Sequence, residues 1–122
     1  MDPPRRERRG VRISERTAEQ VADAMFALSS SSRVQILGYL LDGPRTVGEI
    51  VDAVEMEQSA VSHQLRVLRD HSLVRVSREG RRRVYAIHDD EVAELLEAAL
   101  GHVERRHSRT GGRAKATGEA VG

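Results

Sequence analysis

Cysteine is absent from the 122 residues. Disulfides, thiolate-bound metals, iron–sulfur clusters and thiol nucleophiles are therefore excluded. Aromatic side chains are scarce, with one Phe, two Tyr and no Trp, which argues against single-strand nucleic-acid binding built on base stacking. No apolar run approaches the roughly 20 residues that cross a bilayer. The N-terminus is basic but lacks the apolar segment of a signal peptide, so a cytoplasmic protein with no membrane partner is expected. A nucleophile–base–acid set and a Gly-rich phosphate loop are also missing, and the chain reads as a non-enzyme without an organic cofactor. Its length fits one domain with a small core.

Net charge is only +1, yet the charges are sorted along the chain. Arg5, Arg6, Arg8, Arg9, Arg12 and Arg16 crowd the start, and Arg66, Arg69, Arg75, Arg78, Arg81, Arg82 and Arg83 form a second basic block. Asp89, Asp90, Glu91, Glu94 and Glu97 make the next segment acidic. Such segregation points to an anionic partner at one face and a cationic or subunit contact elsewhere. Nearly all the basic residues are arginines, whose planar fork suits phosphate and guanine.

The most informative stretch is Met56 to Asp70, MEQSAVSHQLRVLRD. Val61, Leu65 and Leu68 recur at i, i+4 and i+7, the apolar stripe of a helix. Ser59, Ser62, His63, Arg66 and Arg69 lie mostly off the stripe. Hydroxyl, imidazole, amide (Gln58 or Gln64) and guanidinium groups are the donors that reach base edges and phosphates in a major groove. By itself the pattern equally describes an ordinary amphipathic helix with a solvated face, and His63 could be a surface histidine.

Its surroundings add weight. Residues 1–13 combine Pro, Gly and Arg and predict a disordered basic arm, either a solubilising tail or a segment that touches DNA. Ser14 caps a first helix whose apolar face is Val21, Ala24, Met25 and Leu28. The serine run Ser29–Ser32 breaks it, and a second helix near Arg33 to Leu41 is apolar on most sides, as a central core helix would be. Asp42-Gly43-Pro44 is a stop, and Thr46 with Glu49 forms a capping box for a short helix bearing Val47, Ile50, Val51 and Val54. That helix and the one after it, joined by a short turn, make a helix-turn-helix. Residues 73–77 and 82–87 alternate apolar and polar around Gly80 and predict a β-hairpin. Folding has no need of Arg78, Arg81, Arg82 and Arg83 at its tip, whereas a wing along a phosphate backbone does. From Asp89 to about His107, Val92, Leu95, Leu96, Ala99, Leu100 and Val103 trace a long apolar stripe. It packs either on its own domain or, since a small domain leaves little core to cover it, on a second copy. Residues 108–122 read as a disordered tail, leaving residues 14–107 as the folded domain.

With these parts in line, the chain resembles the ArsR/SmtB family of bacterial winged-helix, metal-responsive transcriptional regulators over roughly residues 15–107. MEQSAVSHQLRVLR looks like the recognition helix of its nickel- and cobalt-sensing branch, and ALSSSSRVQIL and GRRRVYAI match the second helix and the wing. The resemblance implies a mainly α winged helix-turn-helix with a small β-hairpin, and a homodimer through the first and last helices. Such a dimer reads an inverted-repeat operator in double-stranded DNA. The DNA contacts carry over to Gln58, Ser59, Ser62, His63 and Arg66, and to Arg78, Arg81, Arg82 and Arg83 in the wing.

The resemblance also implies a metal between paired terminal helices, an Asp and a His two residues apart facing a His and a second His or Glu three apart. Here the pairs read Asp89-x-Glu91 and His102-x-x-Arg105, so a carboxylate replaces one imidazole, and the last position is an arginine, which cannot ligate. Asp89, Glu91 and His102, completed by His107, His88 or Glu104, would make an oxygen-rich site that suits Ni2+ or Co2+ better than tetrahedral zinc. The acids also suit a helix N-terminus and the histidines a C-terminus with no metal at all. The alternatives to a metal-modulated regulator are a metal-indifferent one controlled by a protein co-regulator, or a protein-interaction module.

Overall fold

The computed structural model describes residues 10–109. Helix α1 (Glu15–Ala27) starts at Ser14, whose Oγ accepts from the Thr17 N–H at 3.0 Å. Ser30 caps α2 (Ser31–Leu40) by accepting from the Arg33 N–H. The helix thus begins two residues before the expected start near Arg33, because the cap and not the first apolar residue fixes a start. Ile36, Leu37 and Leu40 of α2 are buried and form the centre of the core. Each such side chain withdrawn from water contributes about 1.5–3 kcal/mol.

After Pro44 the chain forms a two-residue strand, β1 (Arg45–Thr46), and enters α3 (Val47–Val54). Thr46 and Glu49 make the expected reciprocal capping box, at 3.2 Å and 2.9 Å. Glu55, left-handed at φ 54°, ends α3 and turns the chain into α4 (Gln58–Asp70). Val61, Leu65 and Leu68 of α4 are buried, as their spacing requires.

Strands β2 (Val74–Glu79) and β3 (Arg82–Ile87) pair antiparallel around Gly80, whose φ of +66° is the backbone a two-residue hairpin turn demands. The expected two-stranded hairpin is in fact one part of a three-stranded sheet in the order β1-β3-β2, with Arg45 opposite Tyr85 and Thr46 opposite Val84. The sequence hides β1 because two residues cannot display alternation. This docks the base of the wing beside the start of α3.

Helix α5 (Asp90–Arg109) closes the described chain, running slightly past the expected end near His107. The expected N-terminal arm and C-terminal tail fall largely on residues 1–9 and 110–122, outside the described residues. No helix among the described residues is long and apolar enough to cross a membrane.

Helices α1 and α5 leave apolar faces uncovered. Of the α1 face read from sequence, Val21 and Met25 are exposed and Ala24 and Leu28 half-buried, while the fully buried residue is Ala27 at the helix end. Phe26 is 69% exposed. Among the described side chains of α5 only Leu96 is buried, and Leu95, Leu100 and Val103 stand at 40%, 38% and 51% exposure.

Candidate nucleic-acid interface

The outward side of α4 follows from its stripe. With Val61, Leu65 and Leu68 turned into the core, Gln58, Ser59, Ser62, His63, Arg66 and Arg69 are all exposed. Two adjoining rows result: Ser59, His63 and Arg66 at i, i+4 and i+7, and Gln58, Ser62, Arg66 and Arg69 beside them. No side chain caps the N-terminus of α4. Its first N–H groups and two nearby serines therefore remain available to an anion.

A groove of about 650 Å³ runs between this helix and the sheet. Gln58, Ser62, Arg66, Arg69 and Asp70 line it from α4, and Arg83 and Tyr85 from β3. The fold thus brings together Gln58, Ser62, Arg66 and Arg83 of the expected DNA-binding set. Ser59 and His63 sit on the neighbouring row of α4, and Arg78, Arg81 and Arg82 lie outside the groove. Sequence reasoning left Arg69 out of that set, although its spacing from Ser62 and Arg66 puts it on the same helix face.

The register divides the wing arginines. Arg78 is the partner of Arg83, on the sheet face that carries Tyr85, whereas Arg82 pairs with Glu79 on the opposite face. Arg82 and Arg45 are near enough to Glu49 to add slightly to the lowering of its pKa, whose main cause is the Thr46 N–H donating to its carboxylate. Arg81 is exposed at the turn. Among the described residues none of these four wing arginines forms an ion pair.

The expected metal ligands all belong to α5 or its first cap. Asp89 Oδ1 accepts from the Val92 N–H at 3.0 Å, and Oδ2 lies 2.9 Å from His88 Nδ1. The His88 contact first, then the Val92 N–H, hold the Asp89 carboxyl below its ordinary range. Asp89 therefore stays a carboxylate, and its remaining lone pairs can still accept. Glu91 and His102 are exposed on α5. More than three helical turns, about 20 Å, separate Asp89 from His102, so one chain cannot close both on an ion. Among the described residues no three His, Asp or Glu side chains gather to hold a metal. The Arg105 guanidinium folds back to within 3.2 Å of where a Cβ on Gly101 would lie, next to His102.

Comparison with known proteins gives a consistent result. Residues 30–76 match "Bacterial regulatory protein, arsR family". The HTH-type transcriptional regulator NmtR of Mycobacterium tuberculosis is 46% identical over 102 residues, 84% of this chain and 85% of that protein. The solution structure of apo-NmtR superposes with a TM-score of 0.67 at 44% identity, covering 85% of this chain and 87% of that one. A homodimeric winged helix-turn-helix DNA-binding domain from Mycobacterium bovis, described as a possible ArsR-family regulator, gives 0.67 at 36% identity over 79% of this chain and 90% of that one.

Proposed function

The chain belongs to the arsR family of bacterial regulatory proteins, and we propose that it works as a homodimer reading an inverted-repeat operator, answering to nickel or cobalt. It is a transcriptional regulator of the ArsR/SmtB type with a winged helix-turn-helix fold. The observation that carries the DNA reading is the groove in which Gln58, Ser62, Arg66 and Arg69 of α4 meet Arg83 of the wing. Ser59, Ser62 and His63 read base edges, with Gln58 and Arg66 beside them, while Arg78, Arg81, Arg82 and Arg83 hold phosphates. The uncovered faces of α1 and α5 support the dimer, since helices with exposed apolar stripes gain their stability by packing on something. Two α4 helices related by a two-fold axis would read half-sites about 34–36 Å apart.

Exchange of Ser62 and His63 for Ala tests the reading face. The double variant should lose about 1–3 kcal/mol of discrimination per base contact removed while keeping its affinity for unrelated DNA. Competition binding on the operator and a scrambled duplex measures this. Unchanged operator preference would mean that another face of the protein reads the sequence.

Asp89 and Glu91 of one copy and His102 of the other, with His107 as a further donor, would hold the ion. Its charge would tie the two α5 helices and bias the spacing of the α4 helices. Carboxylates with one or two imidazoles suit Ni2+ or Co2+, and the persistently ionised Asp89 is fit for that role. Couplings of this kind are about 1–3 kcal/mol. A second reading draws on Arg105, which borders the same surface hollow as His102 and stands where the family pattern has a ligand. An Arg105–Glu91 pair across the dimer would replace the metal and leave a regulator controlled by a protein partner.

A further inference from the structure

We propose that Arg33 is a positioning residue, tying the end of α1 to α4 so that a shift in the subunit contact reaches the helix that reads DNA. The inference rests on the reading of α4 and α1 given above and names the side chain that couples them. Arg33 sits in the first turn of α2, half-buried between the two helices. Its Nε donates to the Ala27 carbonyl at 2.5 Å, and its Nη2 reaches the Phe26 carbonyl at 3.4 Å. On the other side Nη1 donates to Gln64 Oε1 at 2.9 Å. One planar guanidinium therefore joins two elements that are distant in sequence.

Both ends of this tie have a physical reason. The last carbonyls of a helix lack intrahelical partners and carry the negative end of its dipole; Phe26 O also accepts from the Ser29 N–H and Oγ, so the main service of Arg33 is to the Ala27 carbonyl. The last turn of α1 contains no basic residue of its own, so Arg33 supplies that charge from α2. Gln64 lies one position from His63 but on the half-buried side of α4, so Arg33 grips the helix from behind its reading face. Elsewhere α1 has no broad packing on another element among the described residues. Its Val21, Met25 and Phe26 are exposed, while Ala27, held by Arg33, is fully buried. A rotation of α1 imposed by a second copy thus pulls on α4 through this fork. Lysine could not replace it, because a single ammonium cannot donate in both directions with the same fixed geometry.

The test is a double-mutant cycle on the full chain with Arg33→Lys, Gln64→Met and both together. Affinities for a duplex from the gene's own upstream region and for a scrambled duplex are measured at one salt concentration, alongside amide hydrogen exchange over residues 58–66. Each single variant should lower the ratio of the two affinities about tenfold, the scale of a hydrogen bond to a charged group. The double variant should lose no more than either single one, since both remove the same bond. Exchange should quicken alike in all three variants, and Gln64→Glu, which keeps an acceptor for the guanidinium, should restore the wild-type rate. Additive losses would mean that Gln64 touches DNA on its own, and an unchanged ratio in Arg33→Lys would leave Arg33 as a helix cap only. Either overturns the proposal. Should the wild-type chain prefer neither duplex, the DNA reading of α4 fails separately. The exchange data still decide the tie, equal quickening supporting it and wild-type rates refuting it.

Discussion

Arg78 and Arg83 stand directly opposite each other across the β2–β3 ladder, both exposed and neither in an ion pair among the described residues. Like charges in that position weaken a sheet, so the free protein gains nothing from them. Phosphates between or beside them reverse the balance. Replacing either with Ala should leave the melting temperature equal or slightly higher. It should weaken operator and unrelated DNA alike, and reduce the slope of log affinity against log salt by about one for each phosphate left without its arginine. Anisotropy titrations at several salt concentrations measure the slope. A weakening confined to the operator would assign these side chains to base reading instead.

The α5 stripe makes a prediction about assembly. Val103 is 51% exposed in the single chain, so Val103→Asp should leave the fold intact and place an unpaired charge in the dimer seam. Dimerisation should weaken by about 2 kcal/mol or more, the scale of a central interface residue. Sedimentation velocity at several concentrations reads the change, with circular dichroism as the control for folding. An unchanged dimer would move the interface off α5.

In the proposed site, metal binding would turn on His102, the imidazole that α5 would offer to the acids of a second copy. His102→Ala should abolish stoichiometric Ni2+ or Co2+ binding in calorimetry, and Arg105→Ala should preserve it. Full binding by the His102 variant would put the site on other residues. Loss of dimer on Arg105→Ala, with no heat from either ion in the parent, would favour the ion-pair reading.

The capping box gives a pH dependence. Thr46 holds the Glu49 carboxyl below its ordinary range, so the folded state binds a proton there less readily than the unfolded chain. The resulting stabilisation is present above the unfolded value, about pH 4.3, and disappears as pH falls through the lower folded value. Glu49→Gln should therefore melt below the parent at pH 7, and the gap should narrow in acid. Thr46→Ala keeps the backbone N–H that donates to Glu49 but removes the hydroxyl that accepts from the Glu49 N–H, and should cost about 1 kcal/mol. A gap that widened in acid would contradict the assigned cause.

Much of the molecule is legible from the chain alone. Ser14 and the Thr46–Glu49 box mark helix starts through local hydrogen bonds that depend only on neighbours in the chain, and Val61, Leu65 and Leu68 announce a buried side by their spacing. The wing can be read from alternation around Gly80. Strand β1 cannot, because Arg45 and Thr46 become a strand only when Tyr85 and Val84 come to lie beside them. Arg33 escapes a linear reading for a related reason. An arginine in the first turn of a core helix looks like a solvated charge until Phe26, Ala27 and Gln64 converge on it.

What the sequence determined by itself is therefore the set of elements and the chemical character of each face, since both arise from interactions a few residues apart. Tertiary structure decided which faces meet. It brought Arg83 to the same groove as Ser62 and Arg66, and left the apolar sides of α1 and α5 without cover. Those outcomes depend on the docking of elements far apart in the chain, and periodicity carries no information about them.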